Sequence, residues 1–383
     1  MRNVPRRSAT RVGGLPVVRF LSFWGVNCKN APKAATGTDH GGDCLSFARR
    51  VDKELVKAAV IKRYGSPDVV TVREVPKPVP AAGELLIRVH AATVTRTDCG
   101  ELRGHPFFIR LFYGLRRPRR MIFGVDVAGE IEAVGSAIGS LKPGDRVFGM
   151  CPSRGNGAQA EYVCVPENAV AAMPAGARFA EAVVCEGAFY ANAVLERIGL
   201  KSGQRVLIYG ATGAIGTAMV QLAKATGAAV TAVVATRHVE LAKSLGADRA
   251  VDYTAVDFTR IGETFDFVLD AVGKISFFRC RRLLKPDGVF AATDLGPWGQ
   301  NVALALWSSV TRSHRVVIPT PGRIGGFAGF LRRRMEAGQF RAIIDREYPL
   351  SSIADAYRYV ETGQKVGIVV INVAAIGVSP QVA

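Results

Sequence analysis

The chain has 383 residues, 49% of them hydrophobic, which is enough for about two or three domains and too apolar for a largely disordered protein. No apolar run approaches the ~18 residues that a membrane-spanning helix needs, so we expect no membrane partner. The net charge of +18 indicates either a nucleic-acid-binding surface or a solvated basic one. The basic clusters lack interleaved aromatic residues and match no nucleic-acid-binding module, so the sequence favours the solvated surface.

Residues 1–55 differ from the rest of the chain in charge. They contain several arginines, and no acidic residue occurs before Asp39. Three explanations remain open: a transit-peptide-like leader, a tail that binds an anionic surface, or sequence without a fold of its own. We predict a basic, disordered extension on a cytoplasmic protein, with an organellar destination as the alternative if the extension is a transit peptide.

The seven cysteines are scattered along the chain. They form no Cys-x-x-Cys pair and no Cys/His cluster with the spacing of a zinc site. An odd and unpatterned set predicts free thiols in a reducing compartment.

Short apolar runs broken by glycine and proline follow from Val56. They predict strands over 57–62, 69–75 and 84–92, and further runs of this kind continue to Val165. The pattern predicts an all-β domain of the partly open barrel type.

Longer helical stretches begin at Glu181 and alternate with strands. A helix is predicted over 181–198, and the strand–helix alternation after it predicts a parallel, doubly wound sheet. After Pro319 a helix, an extended run, a second helix and a final strand over 366–373 are predicted to return to the first domain. The predicted division is a basic extension over 1–55, a barrel domain made of 56–182 and 320–375, and a doubly wound domain over 183–319.

The most informative segment runs from Arg205 to Gly216. Its apolar residues predict a buried strand, which leads through three glycines into a helical pattern. Such a turn binds a pyrophosphate, because glycines allow positive φ and close backbone approach while the helix N-terminus offers free N–H groups. The sequence therefore predicts a dinucleotide-binding turn formed by Gly210, Ala211, Thr212, Gly213, Ala214, Ile215 and Gly216.

The end of the next strand discriminates between the two nicotinamide cofactors. An acidic residue there would bind the ribose of NAD, but the chain has no carboxylate after this strand until Glu240. Thr236 offers a hydroxyl donor, and Arg237 offers a fixed positive charge for a 2′-phosphate. The sequence predicts NADP(H), and the alternative is that Arg237 only caps the surface.

A β-barrel, a doubly wound domain and a returning C-terminal segment resemble the medium-chain dehydrogenase/reductase superfamily, and in particular its zinc-independent quinone oxidoreductases. The shared motifs occur in family order: 83–92, 124–135, 144–149, 210–216, 245–253 and 270–273. The resemblance covers roughly 57–373. It implies an α/β protein composed of a GroES-like, partly open β-barrel and a Rossmann doubly wound parallel sheet.

The resemblance also implies that the protein uses no metal. Zinc-dependent relatives carry a cysteine where this chain has Thr95 and a histidine where it has Val125. Their structural-zinc lobe of four cysteines is missing after Gly149. Because a zinc site needs three or four converging ligands, we predict no metal site.

On the cofactor side, the resemblance places further residues along the bound dinucleotide. Tyr253 is expected near the 2′-phosphate, Val272 and Gly273 near the nicotinamide ribose, and Leu295 with Gly296 along the nicotinamide ring. Asp270 precedes this loop, and either a structural or a functional role remains open for it.

On the substrate side, the resemblance implies hydride transfer from NADPH to a quinone or to another electrophilic carbonyl or alkene, in a dry cleft between the domains. Thr95 stands where quinone oxidoreductases usually have an asparagine that binds cofactor or substrate. His105 and Tyr113 are candidate proton donors, with a surface role as the alternative. Asp98 is interpreted as structural.

Other functions and an oligomer remain open. An enoyl-thioester reductase would use a tyrosine as proton donor, for which Tyr113 is the nearest candidate. A non-catalytic NADPH-binding or nucleic-acid-binding protein of the same fold is the other alternative. A homodimer is possible through a Rossmann edge strand, and 288–295 is the predicted edge segment.

Overall fold

The computed structural model describes residues 54–105, 107, 110–152, 155, 157–294, 296, 299–310, 316–318 and 322–374. Nearly all of the predicted N-terminal extension therefore lies outside the described residues.

The described strands are β1 (Leu55–Ile61), β2 (Val70–Pro76), β3 (Glu84–Val94), β4 (Asp126–Val134), β5 (Arg146–Met150), β6 (Tyr162–Pro166), β7 (Val170–Ala172), β8 (Arg205–Tyr209), β9 (Ala229–Val234), β10 (Arg249–Asp252), β11 (Phe265–Asp270), β12 (Leu284–Ala292), β13 (Val316–Val317), β14 (Ile344–Pro349) and β15 (Ile368–Asn372). The described helices are α1 (Arg96–Arg103), α2 (Arg110–Tyr113), α3 (Phe179–Ala182), α4 (Cys185–Ile198), α5 (Ala214–Ala225), α6 (Val239–Ser244), α7 (Phe277–Cys280), α8 (Gln300–Val310), α9 (Phe327–Glu336) and α10 (Ile353–Glu361). Because β1 begins at Leu55, the last residue of the predicted extension is part of a strand.

The first sheet has the strand order β14-β15-β3-β4-β5-β7, and β6 also pairs with β3. Its pairings are antiparallel except for the parallel pair β14–β15. The central strand β3 is buried at eight of its eleven residues, as expected for a strand that is largely covered on both faces. β15 places Val369 opposite Val94, so the last strand of the chain pairs with β3 of the barrel.

The second sheet has the order β10-β9-β8-β11-β12-β13, and all of its described pairings are parallel. Counted from β8, this is the Rossmann order 3-2-1-4-5-6, so the doubly wound sheet that the sequence predicted is confirmed. The order reverses between β8 and β11. Ligands of such sheets bind at the carboxyl ends of the strands beside this reversal.

The prediction that 288–295 forms an edge of the Rossmann sheet was wrong. This segment belongs mostly to β12, which β13 covers through the pairing of Phe290 with Val316. The edges of the described sheet are β13 and β10, so a homodimer that pairs Rossmann edges would use one of these strands.

The predicted helix over 181–198 is two helices, α3 and α4, separated at Val183 and Val184. The apolar periodicity continues through the break, and for that reason the sequence predicted one helix. Just after the interruption, the N–H of Glu186 in the first turn of α4 donates to Asp126 Oδ1 of β4 at 2.7 Å. The side chain of Asp126 in the barrel thus accepts a free N–H group at the start of a helix that packs on the Rossmann unit.

The largest cluster of buried apolar side chains spans both units and includes Phe148 of β5 and Ile208 of β8. The five cysteines in the described part of the chain are free thiols, as predicted. None of the helices in the described ranges is long and apolar enough to cross a membrane.

Candidate cofactor and substrate cleft

The glycine turn between β8 and α5 needs each of its three glycines for a different reason. Gly210 has φ +76°, and a Cβ on it would lie 2.6 Å from Val272 Cγ1. A Cβ on Gly216 would lie 2.1 Å from the Gly210 carbonyl oxygen, so this glycine lets the helix approach the strand. A Cβ on Gly213 would meet nothing within 4 Å among the described atoms. The space over Gly213 is where a pyrophosphate would fit.

The N-terminus of α5 is ready to bind an anion. Its N-cap residue is Gly213, no described side chain caps it, and its first turn contains no acidic residue. The N–H groups of a helix start and the positive end of its dipole favour a phosphate. The shape and the free N–H groups of the turn therefore fit the pyrophosphate of a dinucleotide.

The ribose corner at the end of β9 contains a carboxylate that the sequence analysis missed. Thr236 Oγ1 donates to Asp252 Oδ2 at 2.6 Å and lies 2.8 Å from Thr254 Oγ1. The backbone N–H of Thr254 donates to Asp252 Oδ1 at 2.8 Å. These hydrogen bonds hold the pKa of Asp252 below its usual value, so the carboxyl is ionised. Asp252 pairs in parallel with Val234, the last residue of β9, and this strand pairing is the signal that could have identified Asp252.

Arg237 lies at the same corner and is exposed. Its Nε donates to His238 Nε2 at 3.0 Å. Because the Thr236 hydroxyl already donates to Asp252, Arg237 is the group at this corner that remains suited to a 2′-phosphate.

A cavity of about 410 Å³ adjoins this corner at the carboxyl ends of β8 and β10. It is lined by Tyr209, Tyr253, Thr254, Ala255, Val256, Asp257, Phe258 and Arg279. The Tyr209 and Phe258 ring centroids are 5.1 Å apart, and the Arg279 guanidinium lies 5.3 Å from the Phe258 centroid. Aromatic faces beside a cation suit a flat, electron-rich ring such as adenine.

The loop after β11 is fixed by Asp270, which is fully buried. Its carboxylate accepts the N–H groups of Val272 at 3.0 Å and of Gly273 and Ile275 at 2.9 Å. Asp270 therefore has a structural role, and it holds Val272 over Gly210. Leu295 lies outside the described residues, and Gly296 has φ +68°.

The returning C-terminal segment closes the inner end of the turn. The N–H of Gly367 donates to the carbonyl oxygen of Thr212 at 2.7 Å, and Lys365 Nζ donates to the carbonyl oxygen of Gly367 at 2.6 Å. The barrel and the glycine turn thus touch directly at the cleft.

Thr95 and Asp98 form the start of α1. Asp98 N–H donates to Thr95 Oγ1 at 3.2 Å, and the Thr95 N–H donates to Asp98 Oδ2 at 2.8 Å, which is a reciprocal cap. Asp98 also accepts the N–H of Gly124 at 3.1 Å, in agreement with its predicted structural role. His105 is exposed beyond α1. Tyr113 is half-buried, and burial, followed by the nearby Glu101 carboxyl, raises the pKa of its phenol.

Sequence reasoning did not find a group of titratable residues in which Glu186, Asp126 and Glu101 are buried and Lys365 is half-buried. Burial raises the pKa of Glu186 to about 8 and the pKa values of Asp126 and Glu101 to about 7. Burial lowers the pKa of Lys365 to about 8. These residues come from four distant segments and match no motif, so only their meeting in the fold identifies them.

In the described ranges no three histidine, cysteine, aspartate or glutamate side chains form a group that could hold a metal ion. At the two positions compared with zinc ligands, Thr95 caps a helix and Val125 has an aliphatic side chain.

Two family models match the chain: the alcohol dehydrogenase GroES-like domain over residues 81–175, and the zinc-binding dehydrogenase family over 245–371. The 2-methylene-furan-3-one reductase of Solanum lycopersicum is 32% identical over 329 residues, covering 83% of this chain and 79% of the relative. The NADPH-dependent alkenal/one oxidoreductase of Arabidopsis thaliana, named as chloroplastic, is 30% identical over 334 residues, covering 84% and 80%. Other relatives are named as chloroplastic or mitochondrial.

Among solved structures, the quinone oxidoreductase from Coxiella burnetii superposes with a TM-score of 0.73 at 26% identity, covering 84% of this chain and 100% of that one. The relatives and the two domain matches agree with the motifs in the sequence. The chain therefore belongs to the medium-chain dehydrogenase/reductase superfamily, and within it resembles the quinone oxidoreductases.

Proposed function

We propose that the protein is an NADPH-dependent reductase that transfers a hydride, without a metal ion, to alkenes conjugated with a carbonyl and to quinones. The observation that carries this proposal is the open space over Gly213 at an uncapped helix N-terminus, with Arg237 at the ribose corner. An anion cradle and a separate cation suit a pyrophosphate and a 2′-phosphate respectively.

The residues proposed to hold NADP(H) follow the groove from one end to the other. The adenine would occupy the cavity lined by Tyr209, Tyr253 and Phe258, and Arg237 would pair with the 2′-phosphate. The turn from Gly210 to Gly216 would bind the pyrophosphate, and Val272, Gly273, Leu295 and Gly296 would line the nicotinamide end. When bound, the cofactor supplies the hydride.

The substrate class rests on the relatives and on the cleft. The tomato and Arabidopsis proteins are named for a methylene-furanone and for alkenals or enones, and both names describe alkenes conjugated with a carbonyl. The inner cleft of this chain buries Glu186 and Asp126 away from water, so it offers protons and a dry environment beside the glycine turn. These properties suit an acceptor whose oxygen becomes negative during reduction.

The assay that tests this function follows NADPH oxidation at fixed protein concentration with a 2-alkenal, a benzoquinone and an enoyl-CoA. We expect turnover with the first two and little with the thioester, a marked preference for NADPH over NADH, and an unchanged rate after dialysis against a chelator. Turnover confined to enoyl-CoA would favour an enoyl-thioester reductase, and salt-sensitive RNA binding without NADPH oxidation would overturn the enzymatic function.

We also propose an organellar destination for the protein. The support is the arginine-rich, acid-poor composition of residues 1–55 and the organelles named for its relatives. Fusing residues 1–55 to a fluorescent protein should direct it to an organelle, whereas a diffuse cytoplasmic signal would restore the first expectation.

A further inference from the structure

The chain between α1 and β4 carries a concentrated positive charge. Residues 102–125 contain six arginines and no acidic residue. Arg116, Arg117 and Arg119 are exposed, and none of the three forms an ion pair within the described part of the chain. We call residues 107 and 110–121 the basic loop. Its three exposed arginines leave their charges available to an anionic partner.

Four large apolar side chains are exposed on the same loop. Phe107, Leu111, Leu115 and Met121 each expose more than half of their surface. Leu115 directly precedes the first of the three arginines, and Met121 lies two residues after the last, so charge and apolar surface come from one short stretch of chain. A single exposed apolar residue is ordinary, whereas a group of them beside charged residues marks an interaction surface.

Hydrogen bonds fix the basic loop against the barrel. The Tyr64 hydroxyl donates to the carbonyl oxygen of Gly114 at 2.6 Å. Arg120 is buried, and it donates from Nε to the carbonyl oxygen of Ile122 at 2.9 Å and from Nη2 to that of Gly124 at 3.0 Å. Because the backbone is held at both of these points, the loop presents its exposed side chains at little further ordering cost.

Arg110 holds the first aromatic residue of the loop beside a positive charge. Its Nε donates to the carbonyl oxygen of Gly104 at 3.1 Å. Its guanidinium lies 4.6 Å from the centroid of the Tyr64 ring and 5.1 Å from that of the Phe107 ring. An aromatic ring next to a cation suits the headgroup region of a bilayer, where rings and anionic phosphates lie side by side.

The exposed apolar residues favour a lipid surface over a nucleic acid. Proteins bind single-stranded RNA by stacking bases on aromatic rings, but Leu111, Leu115 and Met121 are aliphatic. Aliphatic side chains enter the boundary between headgroups and acyl chains, while arginines beside them contact lipid phosphates. The N-terminal extension is itself rich in arginine, so its charge does not complement this loop.

We propose that the basic loop docks the protein on the surface of an anionic lipid bilayer. Its exposed apolar side chains enter the boundary between headgroups and acyl chains, and its three exposed arginines contact the phosphates. The sequence predicted no membrane partner because no apolar run is long enough to span a bilayer, but docking on the surface needs no such run. Docking needs neither cofactor nor substrate and is therefore independent of the proposed function.

The first experiment measures sedimentation of the full-length protein with vesicles of phosphatidylcholine and phosphatidylglycerol in equal amounts. The test variant combines Arg116→Gln, Arg117→Gln and Arg119→Gln. The control variant replaces three exposed arginines of other segments: Arg281→Gln, Arg282→Gln and Arg323→Gln. The partition coefficient should fall about 100-fold in the test variant and less than about threefold in the control. Both variants keep the N-terminal extension, so its contribution is constant.

A second pair of variants tests the apolar contacts. Leu115→Ser combined with Met121→Ser should weaken binding to the same vesicles about tenfold. Val79→Ser combined with Val310→Ser removes two other exposed apolar side chains and should leave binding unaltered. Binding of the native protein should be lost on pure phosphatidylcholine and should weaken steeply as salt is added, because the arginines supply most of the attraction.

A single substitution reports the depth of the loop and does not depend on the combined variants folding. Leu115→Trp should add a fluorescence component that moves to shorter wavelength on anionic vesicles and is quenched by brominated acyl chains. Val79→Trp, at another exposed position, should show neither effect.

The contrary outcomes are distinct. Native protein that does not sediment with the anionic vesicles, or that binds RNA instead, overturns the inference. Equal losses in the two arginine variants would assign the attraction to net charge alone, and unchanged binding of the test variant would assign it to another segment. A Leu115→Trp signal that brominated lipids leave unquenched would likewise exclude docking through this loop.

Discussion

The titratable and charged side chains at the two ends of the cofactor groove differ in their exposure to water. At the ribose corner the side chain of Arg237 is exposed and that of Asp252 is half-buried, and water moderates both charges. At the inner end Glu186 and Asp126 are buried, and their carboxyls retain protons near neutral pH. The outer end is therefore suited to select a cofactor by charge, and the inner end to hold protons for chemistry.

The largest effect expected along this groove is at the turn that joins its two ends. Gly213→Leu places a side chain in open space at a backbone geometry that any residue adopts, so the melting temperature should be unchanged. NADPH affinity should fall more than about 100-fold, because the side chain occupies the pyrophosphate site. Fluorescence titration measures the affinity, and Gly139→Leu, in another open position, is the control. NADPH affinity equal to that of the native protein in Gly213→Leu would show that the turn does not bind the cofactor.

Arg237→Glu probes the outer end alone. A charge-assisted contact to a phosphate contributes about 1.5–3 kcal/mol, so the KM for NADPH should rise about 10- to 100-fold. The KM for NADH should change by less than about threefold. Lys201→Glu makes the same charge change at the amino end of β8, and it should leave both values unaltered. Equal effects of Arg237→Glu on the two cofactors would contradict the assignment of NADPH.

The inner end should be visible in the pH dependence of stability. The folded pKa of Glu186 is raised to about 8 from 4.5, so the folded state retains a proton that the unfolded state releases. This contribution to the free energy of unfolding is fully present below pH 4.5 and is lost as the pH rises to about 8. Glu186→Gln should therefore flatten the decline in melting temperature across this window. If the melting temperatures of the native protein and of Glu186→Gln declined in parallel with pH, the retained proton would belong to another group. Asp126 and Glu101 are such groups, because their raised pKa values change stability in the same direction.

The smallest effect expected is at Asp252. Its ionised carboxyl lies beside the proposed 2′-phosphate site, where it repels the phosphate through water. Asp252→Asn should tighten NADPH binding about two- to fivefold and change NADH binding less. Calorimetric titration of both cofactors is the measurement. Weaker NADPH binding in this variant would mean that Asp252 positions Thr236 rather than opposing the phosphate.

The contrast between the outer and inner ends of the groove also explains which parts of the site could be predicted from the sequence. The glycine turn and Thr236–Arg237 are each contiguous in the chain, so the succession of strand, turn and helix patterns is sufficient to locate them. Asp252 was missed because it lies on the neighbouring strand of the sheet, eighteen residues after Val234. Glu186 was missed because it lies within a continuous helical pattern, and its neighbours Thr97, Asp126 and Lys365 come from other parts of the chain. Burial, which changes the proton affinity of these groups, is a property of the assembled fold and has no local pattern.

The hydrogen bond from Gly367 to Thr212 has a consequence for the order of folding. A chain emerging from the ribosome completes the Rossmann turn well before Gly367 has been synthesised, and the pairing of Val369 with Val94 waits equally long. A partly synthesised chain therefore presents an anion site that still lacks its inner wall. Tight cofactor binding should be acquired late in synthesis, together with the closure of a barrel that began first.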